Sequence, residues 1–303
     1  MSASPPFPSG HDRAATVTRL RAAGCVFAED EARLLISAAQ TPAALAAMVD
    51  RRAAGEPLEH VLGWAEFCGL RIAVDPGVFV PRRRTEFLVR RAAALARRAA
   101  APSRPDTGRR DTGRQGTDRR DTGRQDTVPS RPVVVVDLCC GSGAVGAALA
   151  GSLGQVELHA TDIDPAAVRC ARRNVAAAGG RVYRGDLYGP LPARLRGRVD
   201  ILTANVPYVP SGDVGLLPPE ARAHEPRVAL DGGADGLDVL RRVAAGAPPW
   251  LAPGGHLLVE TSERQAPLAA EAVDGGGLIP RVAHSSRLNA TVIIGTRPRG
   301  RGE

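Results

Sequence analysis

Residues 133–150 read VVVVDLCCGSGAVGAALA. Four consecutive valines leading into Asp137 and Leu138 make a strand that is apolar on both faces, the pattern of a central strand in a parallel sheet. The strand runs straight into Gly141, Gly143 and Gly146, spaced G-x-G-x-x-G, and then into an alanine-rich helical stretch. Glycine lets the backbone turn sharply and approach a ligand closely. A strand, a glycine loop and a helix in this order open a doubly wound α/β sheet.

Working outward, the same alternation continues to the C-terminus. Strands are expected at 156–162 (VELHATD), 181–186 (RVYRGD), 199–205 (VDILTAN) and 256–260 (HLLVE), with two more near 280–284 and 290–296. Helices fall between them, for example from Pro165 and from about Glu263. This predicts an α/β fold with a seven-stranded, mostly parallel sheet and helices on both faces, over residues 133–303. Upstream, residues 1–63 form a small helical domain. TPAALAAMVDRR opens with a Thr41 cap and Pro42 at the first helical position, Gly55 closes that helix, and Ala32, Leu35 and Ile36 share one face of the helix before it. Residues 64–100 connect the two parts: 64–80 alternates and turns at Gly69 and at Asp75-Pro76-Gly77, predicting a β-hairpin, and a helix follows from Thr85. Residues 103–131 repeat a DTGR unit with nothing apolar before Val128, so 101–132 reads as a disordered low-complexity insertion.

Charge narrows the partners. The net charge is +8, but all 40 basic residues are arginine, which looks like coding bias as much as a binding face. Residues 133–303 carry 18 arginines against 17 acids, too balanced for a groove that tracks phosphates. Nucleic acid is therefore not required as a partner. No apolar run is long enough to span a membrane, and MSASPPFPSGHD lacks the blocks of a signal peptide, so the expected compartment is the cytoplasm. Five cysteines without a CxxC pair or ligand spacing read as free thiols, and no metal site is expected.

The glycine loop alone fits a dinucleotide as well as S-adenosylmethionine. Asp162 ends the second strand of this half about where a ribose hydroxyl is held in either case. Three features favour S-adenosylmethionine. Asp137 stands at the strand end before the glycines, where it would repel a pyrophosphate. Asp186, followed by Leu187, closes the next strand, where a carboxylate can meet an adenine amino group. The fourth strand ends in Asn205-Val206-Pro207-Tyr208, and little chain remains for a second catalytic domain. In that tetrapeptide the Asn205 side-chain oxygen and the Val206 carbonyl are two acceptors that can take both hydrogens of one NH2 group. Holding an amide nitrogen this way favours a pyramidal nitrogen with its lone pair aimed at the methyl group, so positioning and electrostatics carry the step. Tyr208 can stack on a flat substrate group, and Pro207 stiffens the turn.

These stretches also resemble a known family. GEPLEHVLGWAEFCGL at 55–70, FVPRRRTEFLV at 79–89, DLCCGSGAVG at 137–146, the tetrapeptide at 205–208 and EPRVALDGGADGLDVLRR at 225–242 are similar to the HemK/PrmC family of protein-glutamine N-methyltransferases. The resemblance spans roughly residues 50–300, apart from the insertion. It implies transfer of a methyl group from S-adenosylmethionine to the side-chain amide of a glutamine in a protein, a peptide-chain release factor or a relative with a Gly-Gly-Gln loop. The chain is expected to be a monomer. Carried over residue by residue, Cys139, Cys140, Gly141, Ser142 and Gly143 would wrap the methionine end. Asp162 would hold the ribose hydroxyls, with Ile163 beside it, and Asp186 and Leu187 the adenine. Asn205 and the Val206 carbonyl would hold the acceptor amide, shaped by Pro207 and Tyr208. Glu225, Pro226 and the glycines at 232, 233 and 236 would form a loop over the acceptor side. The chain departs from the family at Val206, where a proline is usual, at Cys139, where a glycine is, at PRRRTE, where PRPxTE is, and in a shorter helical region. The alternatives are an exocyclic amine of RNA or DNA or a small molecule as acceptor, and a non-catalytic protein that binds S-adenosylmethionine.

Overall fold

The computed structural model describes residues 10–100 and 131–299. The disorder expected over 101–132 therefore concerns residues that, but for the last two, lie outside those described. Helices α1 (Gly10–Ala22), α2 (Ala28–Ala38), α3 (Pro42–Ala53) and α4 (Leu58–Leu62) come first. The Thr41 hydroxyl caps α3 by accepting from the Ala44 N–H at 3.1 Å, as expected of a Thr-Pro start. Leu20, Ala32, Leu35, Leu45, Val49 and Val61 close a small core of their own, with Ile36 packed at its edge.

Gly63, in the left-handed region, ends α4. Strands β1 (Trp64–Phe67) and β2 (Leu70–Ala73) then pair as an antiparallel hairpin. Both residues of its turn, Cys68 and Gly69, have positive φ (51° and 75°), the geometry of a two-residue type I′ connection. Helix α5 (Glu86–Ala100) buries Leu88, Val89, Ala92, Ala93 and Ala96 against one face of the main sheet.

The main sheet is built from β3 (Val133–Leu138), β4 (Val156–Asp162), β5 (Arg181–Arg184), β6 (Val199–Ala204), β7 (Leu251–Thr261), β8 (Ile279–Ser285) and β9 (Ala290–Thr296). Its spatial order is β5-β4-β3-β6-β7-β9-β8. The first five are parallel, and β9 runs antiparallel to both β7 and β8. This is a seven-stranded, Rossmann-like sheet with β9 as its one reversed strand. The valine run of β3 lies at its centre, every residue buried. Helices α6 (Ala144–Leu153) and α7 (Pro165–Val175) join α5 on one face, while α9 (Asp238–Gly246) and α10 (Ala266–Gly275) cover the other; α8 (Pro219–His224) lies in the long connection after β6. The sheet order reverses between β3 and β6, so the crevice for a ligand opens beyond their C-terminal ends.

Two strands differ in extent from the sequence reading by more than a residue at one end. β5 stops at Arg184, because Gly185 (φ 158°) and Leu187 (φ 45°) turn the chain out of the ladder before Asp186. β7 begins at Leu251, five residues early, and its pairing with β6 slips between Val199 and Ile201 to take up Pro253-Gly254-Gly255. Proline and glycine within a strand mark such an irregularity.

Candidate active site

A cavity of about 1050 Å3 opens at the C-terminal ends of β3, β4, β5 and β6 and extends to the loop between α1 and α2. Its wall carries Asp137, Cys139, Cys140, Gly141, Ser142, Asp162, Ile163, Asp186, Leu187, Asn205, Val206, Pro207 and Tyr208. Gly143, singled out with them, does not line it. A Cβ there would come within 3.0 Å of the Ala171 side chain, so this glycine serves the contact between the loop and α7. Gly141 (φ 54°) and Cys139 (φ 51°) are both left-handed, so a cysteine adopts the conformation that glycine takes at lower cost.

The loop is fixed by two carboxylates. Asp137 is fully buried. One of its oxygens accepts from the Gly146 N–H (3.1 Å) in the first turn of α6, and the other from the Thr203 hydroxyl (2.8 Å) on β6. Burial nevertheless pushes its pKa up to about 7. Asp162 accepts from the Gly141 N–H at 2.8 Å and from the Asp164 N–H at 2.9 Å, and burial raises it too. Burial likewise raises the thiols of Cys139 and Cys140, which stay protonated and unreactive at neutral pH. Asp186, exposed on the cavity wall, is ion-paired with Arg242 of α9, a partner the sequence reading did not name. A second unforeseen residue is Asn174. From α7 it accepts from the Ala73 N–H (2.9 Å) and donates to the carbonyls of Ala73 and Ser142 (2.8 Å each), clasping the hairpin to the glycine loop.

On the acceptor side, no group among the described residues hydrogen-bonds the Asn205 side chain or the Val206 carbonyl, and both residues face the cavity. The turn that carries them is braced from behind. Gly232 donates to the Val209 carbonyl (2.8 Å), Val209 to Leu230 (3.1 Å), and the Gln265 amide to the carbonyls of Tyr208 (3.0 Å) and Asp235 (2.9 Å). A Cβ on Gly232 would come within 2.6 Å of the Pro207 carbonyl, and one on Gly236 would run into that of Tyr208. So Gly232 and Gly236 lie behind the tetrapeptide, where their missing side chains let two backbones touch. Glu225 lines the cavity and is buried at its carboxylate. It accepts from the Val80 N–H (3.2 Å) and from Arg82 through both oxygens (2.6 Å each), tying the segment after β6 to the connector. Tyr208 is held at its hydroxyl by Arg84 and Glu260, and its pKa is pushed up to about 12 by burial and then by the Glu260 carboxylate.

Asp137 and Asp162 at two strand ends, Asp186 just beyond a third, and two unengaged acceptors surround one cavity, an arrangement that can take a cationic ligand and an NH2 donor. The chain is similar to known proteins over most of its length. The family described as "Methyltransferase small domain" matches residues 125–215. A release factor glutamine methyltransferase of Geobacter sulfurreducens is 38% identical over 226 residues, 74% of this chain and 67% of its own length. One from Mycolicibacterium smegmatis is 35% identical over 252 residues, covering 82% and 78%. The chain belongs to the release factor glutamine methyltransferase family. Within this wider kinship, a 4-amino-L-phenylalanine/4-methylamino-L-phenylalanine methyltransferase of Streptomyces pristinaespiralis is 35% identical over 217 residues, 72% of this chain and 65% of its own. Among the described residues no helix is long and apolar enough to cross a membrane, and no group of three or more His, Cys, Asp or Glu could hold a metal ion.

Proposed function

We propose that the protein methylates the side-chain amide nitrogen of a glutamine in a peptide-chain release factor or a closely related protein, in the cytoplasm, as a monomer, with S-adenosylmethionine as methyl donor. The observation that carries this reading is the pair of unengaged acceptors, the Asn205 side chain and the Val206 carbonyl, on the wall of the cavity that also holds the glycine loop.

The residues fit the donor. Left-handed backbone at Cys139 and Gly141 leaves the loop open toward the cavity, and Asp137, Asp162 and Asp186 stand around it. Asp162 and Ile163 serve the ribose, Asp186 and Leu187 the adenine, and Asp137 with residues 139–143 the cationic methionine end. When bound, S-adenosylmethionine supplies a methyl group activated by a positive sulfur. The protein orients what receives it. Asn205 and Val206 accept the two amide hydrogens, which localises the nitrogen lone pair and points it across the cavity. Tyr208 presents an aromatic wall to the flat amide, and Pro207 with the glycines behind it keeps the two acceptors in register. The methyl carbon's bond to sulfur would break as its bond to nitrogen forms, the sulfur keeping the electron pair as a neutral thioether; the nitrogen sheds one hydrogen as a proton past these acceptors to solvent, and the partial negative charge of the two carbonyls stabilises the positive charge that develops there. The helical residues 10–62, whose α1–α2 loop reaches the cavity mouth, serve recognition of the protein substrate.

A second reading has a specific support. The Streptomyces pristinaespiralis relative is named for an aromatic amine acceptor, and a cavity of about 1050 Å3 has room for a small molecule. Methyl transfer from labelled S-adenosylmethionine decides between them. The acceptors are a purified release factor with its Gly-Gly-Gln loop, the same factor with the glutamine changed to alanine, bulk protein, RNA, and 4-amino-L-phenylalanine. Label on the release factor that vanishes with the glutamine supports the first reading. Label on the amino acid alone supports the second.

A further inference from the structure

Beside Tyr208 stand two charged side chains for which holding an amide nitrogen gives no task. Glu260 follows Val259, the register partner of Ala204, and so lies level with Asn205 across the β6–β7 pair. Its side chain is only 2% exposed. A carboxylate removed from water in this way requires a partner. One oxygen accepts from the Arg84 Nε–H at 3.0 Å and from the Tyr208 hydroxyl at 3.4 Å, while the other has no hydrogen-bond partner among the described residues. Arg84 arrives from the turn before α5, far away in the chain. The same guanidinium donates to the Tyr208 hydroxyl and lies 5.6 Å from the centroid of its ring. Its neighbour Arg82 is engaged elsewhere, with Glu225 and over Phe79, so the task is Arg84's own.

The backbone of Tyr208 is already fixed by Gln265. Two side-chain torsions remain, and a hold at the hydroxyl end restrains both. We infer that Arg84 and Glu260 are positioning residues that fix the Tyr208 ring as a rigid wall of the acceptor pocket, Arg84 acting also as the cation that neutralises the buried Glu260. The inference rests on the reading of this cavity as the methyl-acceptor site. Its consequence is that Arg84, next to Arg83 where PRRRTE departs from PRPxTE, tunes how an acceptor is presented and leaves cofactor binding alone.

The test uses Arg84→Met, Glu260→Gln, their double variant and Tyr208→Phe in the full chain. Each is examined by S-adenosylhomocysteine calorimetry, melting temperature, methyl transfer to a release factor, and fluorine NMR after 3-fluorotyrosine labelling. The chain has three tyrosines, so Tyr208→Phe identifies the resonance. Arg84→Met is expected to lower kcat by about 10-fold or more, keep S-adenosylhomocysteine affinity within about threefold, and shift and narrow the Tyr208 resonance. It also strands a buried carboxylate, so its melting temperature falls. The double variant removes that charge and regains the melting temperature but not kcat, which a purely structural role would restore together. Recovery of both in the double variant, or an unmoved Tyr208 resonance with kcat within about twofold in Arg84→Met, overturns the inference. If wild-type protein leaves the release factor unmethylated, the functional reading fails by itself, and the fluorine resonance still decides whether Arg84 and Glu260 hold the ring.

Discussion

The Asn205 side chain stands on the cavity wall with no hydrogen-bond partner among the described residues. Replacing it by alanine removes one of two acceptors from the reacting nitrogen and nothing from the glycine loop. Asn205→Ala is therefore expected to lower turnover by about 10²–10³-fold, the cost of losing one preorganised polar group, while affinity for S-adenosylhomocysteine by calorimetry stays within a few-fold. Turnover within a few-fold of wild type would remove the mechanism. Asp137 makes a different prediction. Its pKa of about 7 stands above the ordinary carboxylate value, so the folded protein holds a proton there that the unfolded chain has already lost. Its contribution to stability is fully present below the ordinary value and is lost as pH rises through about 7. A cationic ligand favours the ionised form, so affinity for S-adenosylmethionine should weaken as pH falls below about 7, with proton release on binding in that range. Asp137→Asn should flatten this dependence. Calorimetry across pH 5–9 in two buffers of different ionisation enthalpy measures both.

At the scale of elements, the acceptor turn belongs to two segments that are distant in sequence. The strand β6 delivers Asn205–Tyr208, and the loop before α9 packs its glycines against their carbonyls. Gly236 has φ 79°, and a methyl group added there would meet both the Tyr208 carbonyl and the Gln265 amide. Gly236→Ala should then cost about 2 kcal/mol or more in denaturant unfolding, and it should reduce turnover with cofactor affinity kept. Stability near wild type would show that the turn yields without cost. The connector is joined to the opposite side of the site by Asn174, whose three bonds reach Ala73 and Ser142. Asn174→Ala leaves the Ala73 N–H unpaired. It should destabilise by about 2 kcal/mol and, because Ser142 is on the glycine loop, weaken cofactor affinity measurably.

Across the whole molecule, the helical part, the connector and the sheet are bound together where the cavity is widest. Arg52 of α3 pairs with Glu31 (2.7 Å) and reaches Glu220 of α8 (3.4 Å), and Glu225 holds Arg82 and the Val80 amide. On the proposed reading, acceptor recognition depends on these contacts outside the sheet. Glu225→Ala removes the buried member of its pair and orphans a backbone N–H, so about 2–3 kcal/mol of stability should be lost. The KM for acceptor should rise while S-adenosylhomocysteine affinity holds. A parallel loss of cofactor affinity would show that the two halves of the cavity are not separable in this way.

How much of this was legible follows from the range of each interaction. Strand and helix periodicity, the Thr41 cap and the Gly69 turn are local, and the structure has them where the residues of 10–100 and 133–299 lead one to expect. The gathering of Asp137, Asp162, Asp186 and Asn205 at one edge was legible because a parallel doubly wound sheet puts all its strand ends together. Where β5 ends and β7 begins was not, since a ladder's limits depend on the neighbouring strand and on irregularities such as the slip at Val199. Neither were Arg84, Asn174, Arg242, Glu260 and Gln265, or Gly143 facing α7 rather than the cavity. Arginine, asparagine and glutamine carry no period, and their partners lie tens to more than a hundred residues away. The sequence by itself determined the class of fold, the glycine loop and the two acceptors, because each is written in neighbouring residues. Only tertiary structure decided what pins those acceptors and the Tyr208 ring in place, because pairing between distant side chains is settled when the sheet closes.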